Sequence, residues 1–234
     1  MRKQIRRIAL IILIFVFAAF EITTFAQQET DESENSVEIV RKLNAMGVWD
    51  ETVEFSEQVT RGEFAVALAR LMNIGQMETG YAYQIFSDVA VDSPYYTSVM
   101  YLNMQKVVNG AEDSLFEPNR PITNHEAVKM CVCALGYQPY AELSGGFPAG
   151  YLTASVQYKL FSKGVLNGAG DSLSRMQVLQ MIDDMLDAPY LEQNKYGNEE
   201  NYYRQENVTV LSTYFDIYLD EGILKGVGFY SLSG

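Results

Sequence analysis

Two arginines, Arg61 and Arg175, stand at the same place in a recurring tetrapeptide and are well suited to bind an anion. Each directly follows a hydroxyl residue that starts a predicted helix. A guanidinium presents a planar fork of donors that matches a carboxylate, and the first turn of a helix leaves backbone N–H groups without intrahelical partners. A carboxylate would therefore suit each of these helix starts, and the alternative is that each residue is an ordinary solvated surface arginine. The remaining copy has Asn124 followed by His125, which bring no permanent charge.

Catalytic chemistry has little support in the sequence. His125 is the only histidine and has no nucleophile signature beside it, so a hydrolase triad lacks its general base. Cys131 and Cys133 point in different directions on one predicted helix, which argues against a mutual disulfide and favours buried unpaired thiols. We expect no metal site, no cofactor and no enzymatic activity. An acidic chain always offers some carboxylate pairs, so acid–base hydrolysis stays open at this level.

The recurring tetrapeptide is a capping box, in which Ser or Thr caps a helix and Glu or Gln three residues later reaches back to it. It occurs at Thr60–Glu63, Thr123–Glu126 and Ser174–Gln177, and we expect these six end residues to have a structural role. After each box, apolar residues recur at i, i+3, i+4 and i+7, on one helical face. The three sets are Phe64, Ala67, Leu68 and Leu71; Ala127, Met130, Cys131 and Ala134; and Val178, Met181, Ile182 and Met185. The sequence therefore predicts a helix–loop–helix unit that occurs three times.

The middle copy carries four short motifs in a fixed order. They are Phe86–Val89 (FSDV), Val107–Gly110 (VVNG), Phe116–Pro118 (FEP) and Ile122–Glu126 (ITNHE). The first copy shares Val59–Glu63 (VTRGE), and the third shares Gly164–Gly168 (GVLNG). Together these motifs resemble the S-layer homology repeat, and the resemblance covers roughly residues 36–187.

The resemblance implies a mainly α fold in which three helix–loop–helix repeats pack about a pseudo-threefold axis. It also implies that the grooves between repeats bind a secondary cell-wall polysaccharide, an acidic glycan that often carries a pyruvyl ketal. The motif arginine helps to hold this sugar, which assigns that role to Arg61 and Arg175. In the middle repeat, Asn124 stands at the position of the motif arginine and His125 follows it, and we take both as candidate glycan-binding residues. Trp49, the only tryptophan, either stacks on a sugar or packs inside the protein.

The N-terminal segment has the features of a signal peptide. Four basic residues within 2–7 precede an apolar run at 8–20, which is shorter than the ~20 residues of a membrane-spanning helix. Thr24 and Ala26 then offer small residues for cleavage. We expect cleavage after Ala26 and no membrane span in the mature chain; an uncleaved anchor is the alternative.

The pattern divides the chain into seven segments. We expect a signal peptide at 1–26, an acidic flexible lead-in at 27–35, repeats at 36–75, 86–137 and 147–187, a polar linker at 188–206, and a β-rich segment at 207–234. The last segment is rich in β-branched and aromatic residues, and we interpret it as the start of a truncated second domain.

The net charge of −13 argues against a nucleic-acid surface, which needs clustered Lys and Arg. We expect an exported, non-catalytic module that anchors to the cell wall of a Gram-positive-like bacterium through its polysaccharide. Two alternatives stay open. One is a structural or assembly protein of the cell surface with degenerate grooves, and the other is the N-terminal anchor of a longer exported enzyme.

Overall fold

The computed structural model divides into two compact parts, residues 1–42 and 43–234. The described residues are 35–49, 57–73, 84–109, 114–162, 171–196, 199–220 and 223–227. Within residues 1–42, the described residues are the helical residues 35–42. The predicted signal peptide, and all but the last residue of the predicted lead-in, lie outside the described residues.

Helix α1 covers residues 35–45 and is followed by a glycine turn. Gly47 has a φ of +69°, a left-handed conformation that glycine adopts without strain. Its N–H donates to Asn44 O at 3.0 Å, and the Val48 N–H donates to Leu43 O at 3.0 Å. The turn brings Trp49 directly behind the end of the helix.

Three long helices start at the three predicted capping boxes. They are α2 (Arg61–Leu71), α4 (Asn124–Ala134) and α7 (Arg175–Leu186). In each, the cap hydroxyl accepts from the third backbone N–H, and the Glu or Gln side chain accepts from the N–H of the cap. Every residue of the predicted apolar faces is at most 8% exposed. The helix starts and their shared register are therefore confirmed.

A ring of three backbone hydrogen bonds joins the three helix–loop–helix units just ahead of their caps. The Val59 N–H donates to Leu173 O at 3.1 Å, the Leu173 N–H to Ile122 O at 3.1 Å, and the Ile122 N–H to Val59 O at 2.9 Å. The three side chains are at most 1% exposed, so the ring lies in the core. The three units thus follow one another in cyclic order around the core, and the expected mainly α class is confirmed.

Shorter helices complete the bundle. They are α3 (Tyr96–Met104), α5 (Gln138–Leu143) and α6 (Ala149–Gln157). Ahead of α3, the Tyr95 ring lies close to Gly62 of α2, where an added Cβ would stand 2.9 Å from the ring and from Pro118 O. Glycine at this position therefore permits the close approach of the second unit. Among the described helices, none combines the length and the apolar character needed to cross a membrane.

Two antiparallel hairpins and a short helix follow the bundle. They are β1 (Pro189–Tyr196), β2 (Glu199–Thr209), α8 (Val210–Tyr214), β3 (Ile217–Asp220) and β4 (Ile223–Val227), with β1 paired to β2 and β3 to β4. The expected short β segment near the C-terminus is therefore present. The expected polar linker at 188–206 is wrong, because β1 and most of β2 lie there.

The first hairpin is held by contacts that the polar sequence does not reveal. The Leu191 N–H donates to Leu135 O at 3.1 Å, and the Leu191 side chain is 7% exposed. The Tyr137 hydroxyl donates to Pro189 O at 2.7 Å. Gly136 has a φ of +82° and lies where a Cβ would come within 2.7 Å of Leu191 O, so the turn after α4 is shaped to receive β1.

Candidate functional site

The first backbone N–H of each long helix is already bonded to the loop of a neighbouring unit. The Arg61 N–H donates to Arg120 O (2.8 Å), the Asn124 N–H to Asp171 O (2.9 Å), and the Arg175 N–H to Glu57 O (2.7 Å). The next N–H of α2, from Gly62, donates to Pro118 O at 2.8 Å. These particular N–H groups are therefore not available to a carboxylate, because the adjacent loops supply their acceptors.

The Arg61 side chain is a fixed contact between the first and second units. It is 9% exposed, and its Nε donates to Phe116 O at 2.9 Å. The guanidinium lies 4.8 Å from the centroid of the Phe116 ring, and Nη1 lies 3.2 Å from Glu126 Oε1. Stacking on one face and pairing at one edge hold the guanidinium in a single orientation.

Arg175 makes the corresponding contact between the third and first units. Its side chain is buried, with Nη2 2.9 Å from Glu57 Oε2 and 3.7 Å from Glu63 Oε1. The guanidinium lies 5.7 Å from the centroid of the Trp49 ring. Neither motif arginine is thus a solvated surface residue, and each adjoins an aromatic ring and a carboxylate.

Asn124 takes the place of the arginine in the middle copy and is fully buried. Each arginine meets the box glutamate of the neighbouring unit. The pairs are Arg61 with Glu126 and Arg175 with Glu63. By the same cyclic order, the box residue of the unit next to Asn124 is Gln177, which is neutral. A neutral amide suits this position, because a guanidinium buried without a carboxylate is strongly destabilising.

His125 lies beside Asn124 but packs against an aromatic ring. Its ring and that of Phe147 meet edge to face, with centroids 6.4 Å apart and planes at 87°. Its Nε2 atom is buried and has no hydrogen-bond partner within the described part of the chain. The structure thus places His125 as a support for Phe147.

A cavity of about 260 Å³, which we call the Trp49 groove, lies where α2 meets the start of α7. It is lined by Val48, Trp49, Glu63, Val66, Ala67, Arg70, Pro94, Tyr95 and Arg175. The Trp49 ring is only 6% exposed, so it forms the floor under Arg175 rather than an open stacking surface. The half-buried Tyr95 adds a second aromatic side chain to the wall.

A second cavity of about 180 Å³, which we call the Phe147 groove, lies between the first and second units. It is lined by Arg61, Val107, Val108, Asn109, Glu117, Arg120, Glu126, Lys129, Met130 and Phe147. Three cationic and two carboxylate side chains share this wall, which leaves one positive charge in excess. The chain as a whole carries −13, so the groove is a local exception to its surroundings.

The charges of the Phe147 groove are strongly coupled. Burial lowers the pKa of Arg61, and the nearby Glu126 carboxylate opposes this effect. Burial by itself would raise the pKa of Glu126, but hydrogen bonds from Arg120 and Thr123 and the charge of Arg61 outweigh it, so the pKa lies below its ordinary value. The hydrogen bond to Glu126 raises the pKa of Arg120. Arg120 and Glu126 are therefore charged at neutral pH.

Sequence reasoning missed several groove residues outside the boxes. They are Arg70, Tyr95, Arg120, Lys129 and Phe147. The position of Lys129 could have been recognised from the sequence. Lys129 stands three residues after the box residue Glu126, and Val66, which lines the other groove, stands three residues after Glu63. The predicted third-copy motif at 164–168 lies outside the described residues. Within the described residues, no group of three or more His, Cys, Asp or Glu side chains is placed to bind a metal.

Residues 85–127 match the S-layer homology domain. The chain carries an S-layer homology domain. Its sequence is also 24% identical over 197 residues to a "Middle cell wall protein" of Brevibacillus brevis, and 24% identical over 197 residues to a "Surface layer protein" of Brevibacillus choshinensis. These matches cover 82% of this chain but only 18% and 17% of the two relatives, so the chain spans less than a fifth of their length.

The structure gives the motif residues of this S-layer homology domain a physical role. Asp88 of the FSDV motif accepts from the Phe116 N–H at 2.8 Å and from the Glu117 N–H at 2.6 Å. It thereby holds the loop whose Phe116 ring stacks on Arg61. The motifs form one chain of contacts that ends at the wall of the Phe147 groove.

Proposed function

We propose that this chain is a non-catalytic module that anchors a cell-surface protein to the bacterial cell wall. It does so by binding an acidic secondary cell-wall polysaccharide, such as one carrying a pyruvyl ketal, in the Trp49 and Phe147 grooves. One observation carries the proposal. Each groove has a motif arginine at its wall, held between two neighbouring units of a chain that contains an S-layer homology domain.

Short-range electrostatics supports an anionic ligand in these grooves. The Trp49 groove combines two arginines with one glutamate, and the Phe147 groove combines three cations with two carboxylates. The net charge of −13 repels an anionic glycan at long range, so attraction must arise within the grooves. Aromatic side chains in both walls provide apolar surface for a sugar ring.

We propose two glycan grooves rather than three. Asn124 is fully buried and brings no charge, and the corresponding box residue of the third unit is the neutral Gln177. A sugar carboxylate would find no motif cation there. His125 therefore contributes indirectly, through its contact with Phe147, and Trp49 contributes as the floor under Arg175.

The location and architecture of the whole protein belong to the same proposal. The printed names of the two relatives, a cell wall protein and a surface layer protein, support a place at the cell surface. Export through a signal peptide at 1–26 is consistent with this location. A longer protein that uses this chain as its N-terminal anchor also fits, since the relatives are more than five times longer than the part matched here.

The test is co-sedimentation of the purified full chain with de-proteinised cell walls of a Brevibacillus strain. We expect binding to intact walls and loss of binding to walls whose secondary polymers have been removed with hydrofluoric acid. Arg61→Lys and Arg175→Lys keep the charge but lose the planar guanidinium that shapes each groove wall, so we expect each to weaken binding under conditions where both variants are folded. Arg204→Lys, in β2 of the first hairpin, is the matched control and should bind like wild type.

A purely structural role is the second candidate, and the buried arginines favour it. Arg61 and Arg175 already contact carboxylates and rings of the protein itself, as residues that hold the helix–loop–helix units together would. If the wild-type chain sediments equally with intact and stripped walls, polysaccharide anchoring is refuted and the structural role explains these contacts.

A further inference from the structure

The three cations of the Phe147 groove are not equally available to a ligand. Arg61 is committed to Phe116 and Glu126. Arg120 donates to Glu117 at 3.0 Å and to Glu126 at 2.5 Å. A guanidinium already bonded to carboxylates offers a ligand little unless those bonds break. The arginines therefore shape the wall, and the excess positive charge of the groove falls to the remaining cation, Lys129.

Lys129 has a different setting from the two arginines. Its ammonium lies 5.3 Å from the centroid of the Phe147 ring and 5.8 Å from that of Tyr151. No carboxylate in the described part of the chain forms an ion pair with it. The Glu142 carboxylate accepts a hydrogen bond from the Tyr151 hydroxyl at 2.5 Å. The ammonium is thus attracted by ring faces, an interaction weaker than a charge-assisted hydrogen bond.

We propose that Lys129 receives the anionic group of the glycan in the Phe147 groove, while Phe147 supplies the apolar surface beside it. This assignment rests on the proposed function and deepens it. A lysine ammonium is a compact charge on a flexible stem with three donors, so it can turn from the ring faces to an anion that enters the groove. Phe147 is 50% exposed and lies against the same ammonium, so one ligand can touch both residues.

The assignment also makes the two grooves unequal. In the Trp49 groove, the residue three places after the box glutamate is Val66, which carries no charge. The anion-receiving ammonium therefore belongs to the Phe147 groove alone. The shared chemistry of the ligand is one anionic group on a sugar, a carboxylate or a phosphate.

The test measures the affinity of the full chain for de-proteinised Brevibacillus walls. Lys129→Gln removes the charge but keeps a good helix-forming residue of similar length. We expect it to bind at least about tenfold more weakly, as the loss of one charge-assisted hydrogen bond implies, and to show a smaller dependence on salt. Lys129→Arg should retain most of the binding. Lys159→Gln, an exposed site just after α6, is the control for a change in net charge and should bind like wild type.

Walls whose carboxylates have been amidated identify the source of the anion. If the difference between wild type and Lys129→Gln disappears on amidated walls, the anion is a carboxylate; if it persists, the anion is a phosphate. Equal binding of wild type and Lys129→Gln to untreated walls overturns the assignment of Lys129 while leaving the proposed anchoring intact. Absence of wild-type binding overturns both. Thermal unfolding curves of all variants verify that any loss of binding is not a loss of fold.

Discussion

Replacing Arg61 by alanine tests whether the motif arginine holds two units of the domain together. The guanidinium is buried between α2 and the loop that Asp88 fixes, where it donates to Phe116 O and pairs with Glu126. Alanine removes the stacking on Phe116 and leaves that carbonyl without its donor. Glu126 keeps Arg120 and Thr123 as partners, so no carboxylate is orphaned. The loss is therefore smaller than for an isolated buried ion pair.

The magnitude follows from the contacts that disappear. One hydrogen bond from a charged donor contributes about 1.5–3 kcal/mol, and a cation–π contact about 0.5–1 kcal/mol. We expect Arg61→Ala to lower the free energy of unfolding by about 2–4 kcal/mol, which corresponds to a fall in Tm of roughly 5–15 °C for a chain of this size. Arg61→Lys keeps a positive charge near Glu126 but loses the planar stack, so about half of that loss should remain.

Urea unfolding, followed by circular dichroism and by the fluorescence of the single Trp49, measures this change. Arg204→Ala is the control, because its pair with Glu206 is solvent-exposed and should contribute less than about 1 kcal/mol. If Arg61→Ala unfolds at the same urea concentration as Arg204→Ala, the arginine does not join the units. Any effect of Arg61 variants on wall binding would then report on the ligand alone.

Three further outcomes follow from the structure. Cys131 is fully buried, whereas Cys133 is half-buried rather than buried as expected, and burial raises the pKa of its thiol to about 11. Ellman's reagent at pH 8 should therefore label neither thiol rapidly in the native protein and both in urea; fast native labelling would contradict the burial of Cys131 and the raised pKa of Cys133. Arginine partners outweigh burial and hold the pKa of Glu126 below 4.5, so its stabilisation is complete above that pH and is lost as the pH falls through the lower folded-state value; Glu126→Gln should flatten the acid side of the stability profile, and an unchanged acid slope would count against the coupling. Tyr137→Phe removes the hydrogen bond to Pro189 O and should cost about 0.5–1.5 kcal/mol in the unfolding free energy, with faster amide exchange in β1; unchanged exchange there would show that the hairpin is held by other contacts.

Local sequence was sufficient wherever the determining interactions span only a few residues. A capping box is complete within four residues, and a helical face repeats within eight, so α2, α4 and α7 could be predicted with their starts and their buried faces. The glycine turn after α1 is equally local. For the same reason, the amino-acid sequence alone identifies the two motif arginines and the neutral Asn124 as corresponding positions of the three copies.

Tertiary structure decided what surrounds those positions. The first N–H group of each long helix looks available in the sequence, which shows no partner for it, yet a carbonyl from a loop far along the chain accepts its hydrogen bond. The hairpin at 189–209 escaped prediction because one buried Leu191 and one tyrosine hydroxyl hold an otherwise polar segment. Arg120 has its carboxylate partners close in sequence, whereas Lys129 acquires its setting only when the folded chain brings the Phe147 and Tyr151 rings to it. The rings beside Lys129 belong to residues about 20 positions further along the chain, and a local pattern does not encode such a contact.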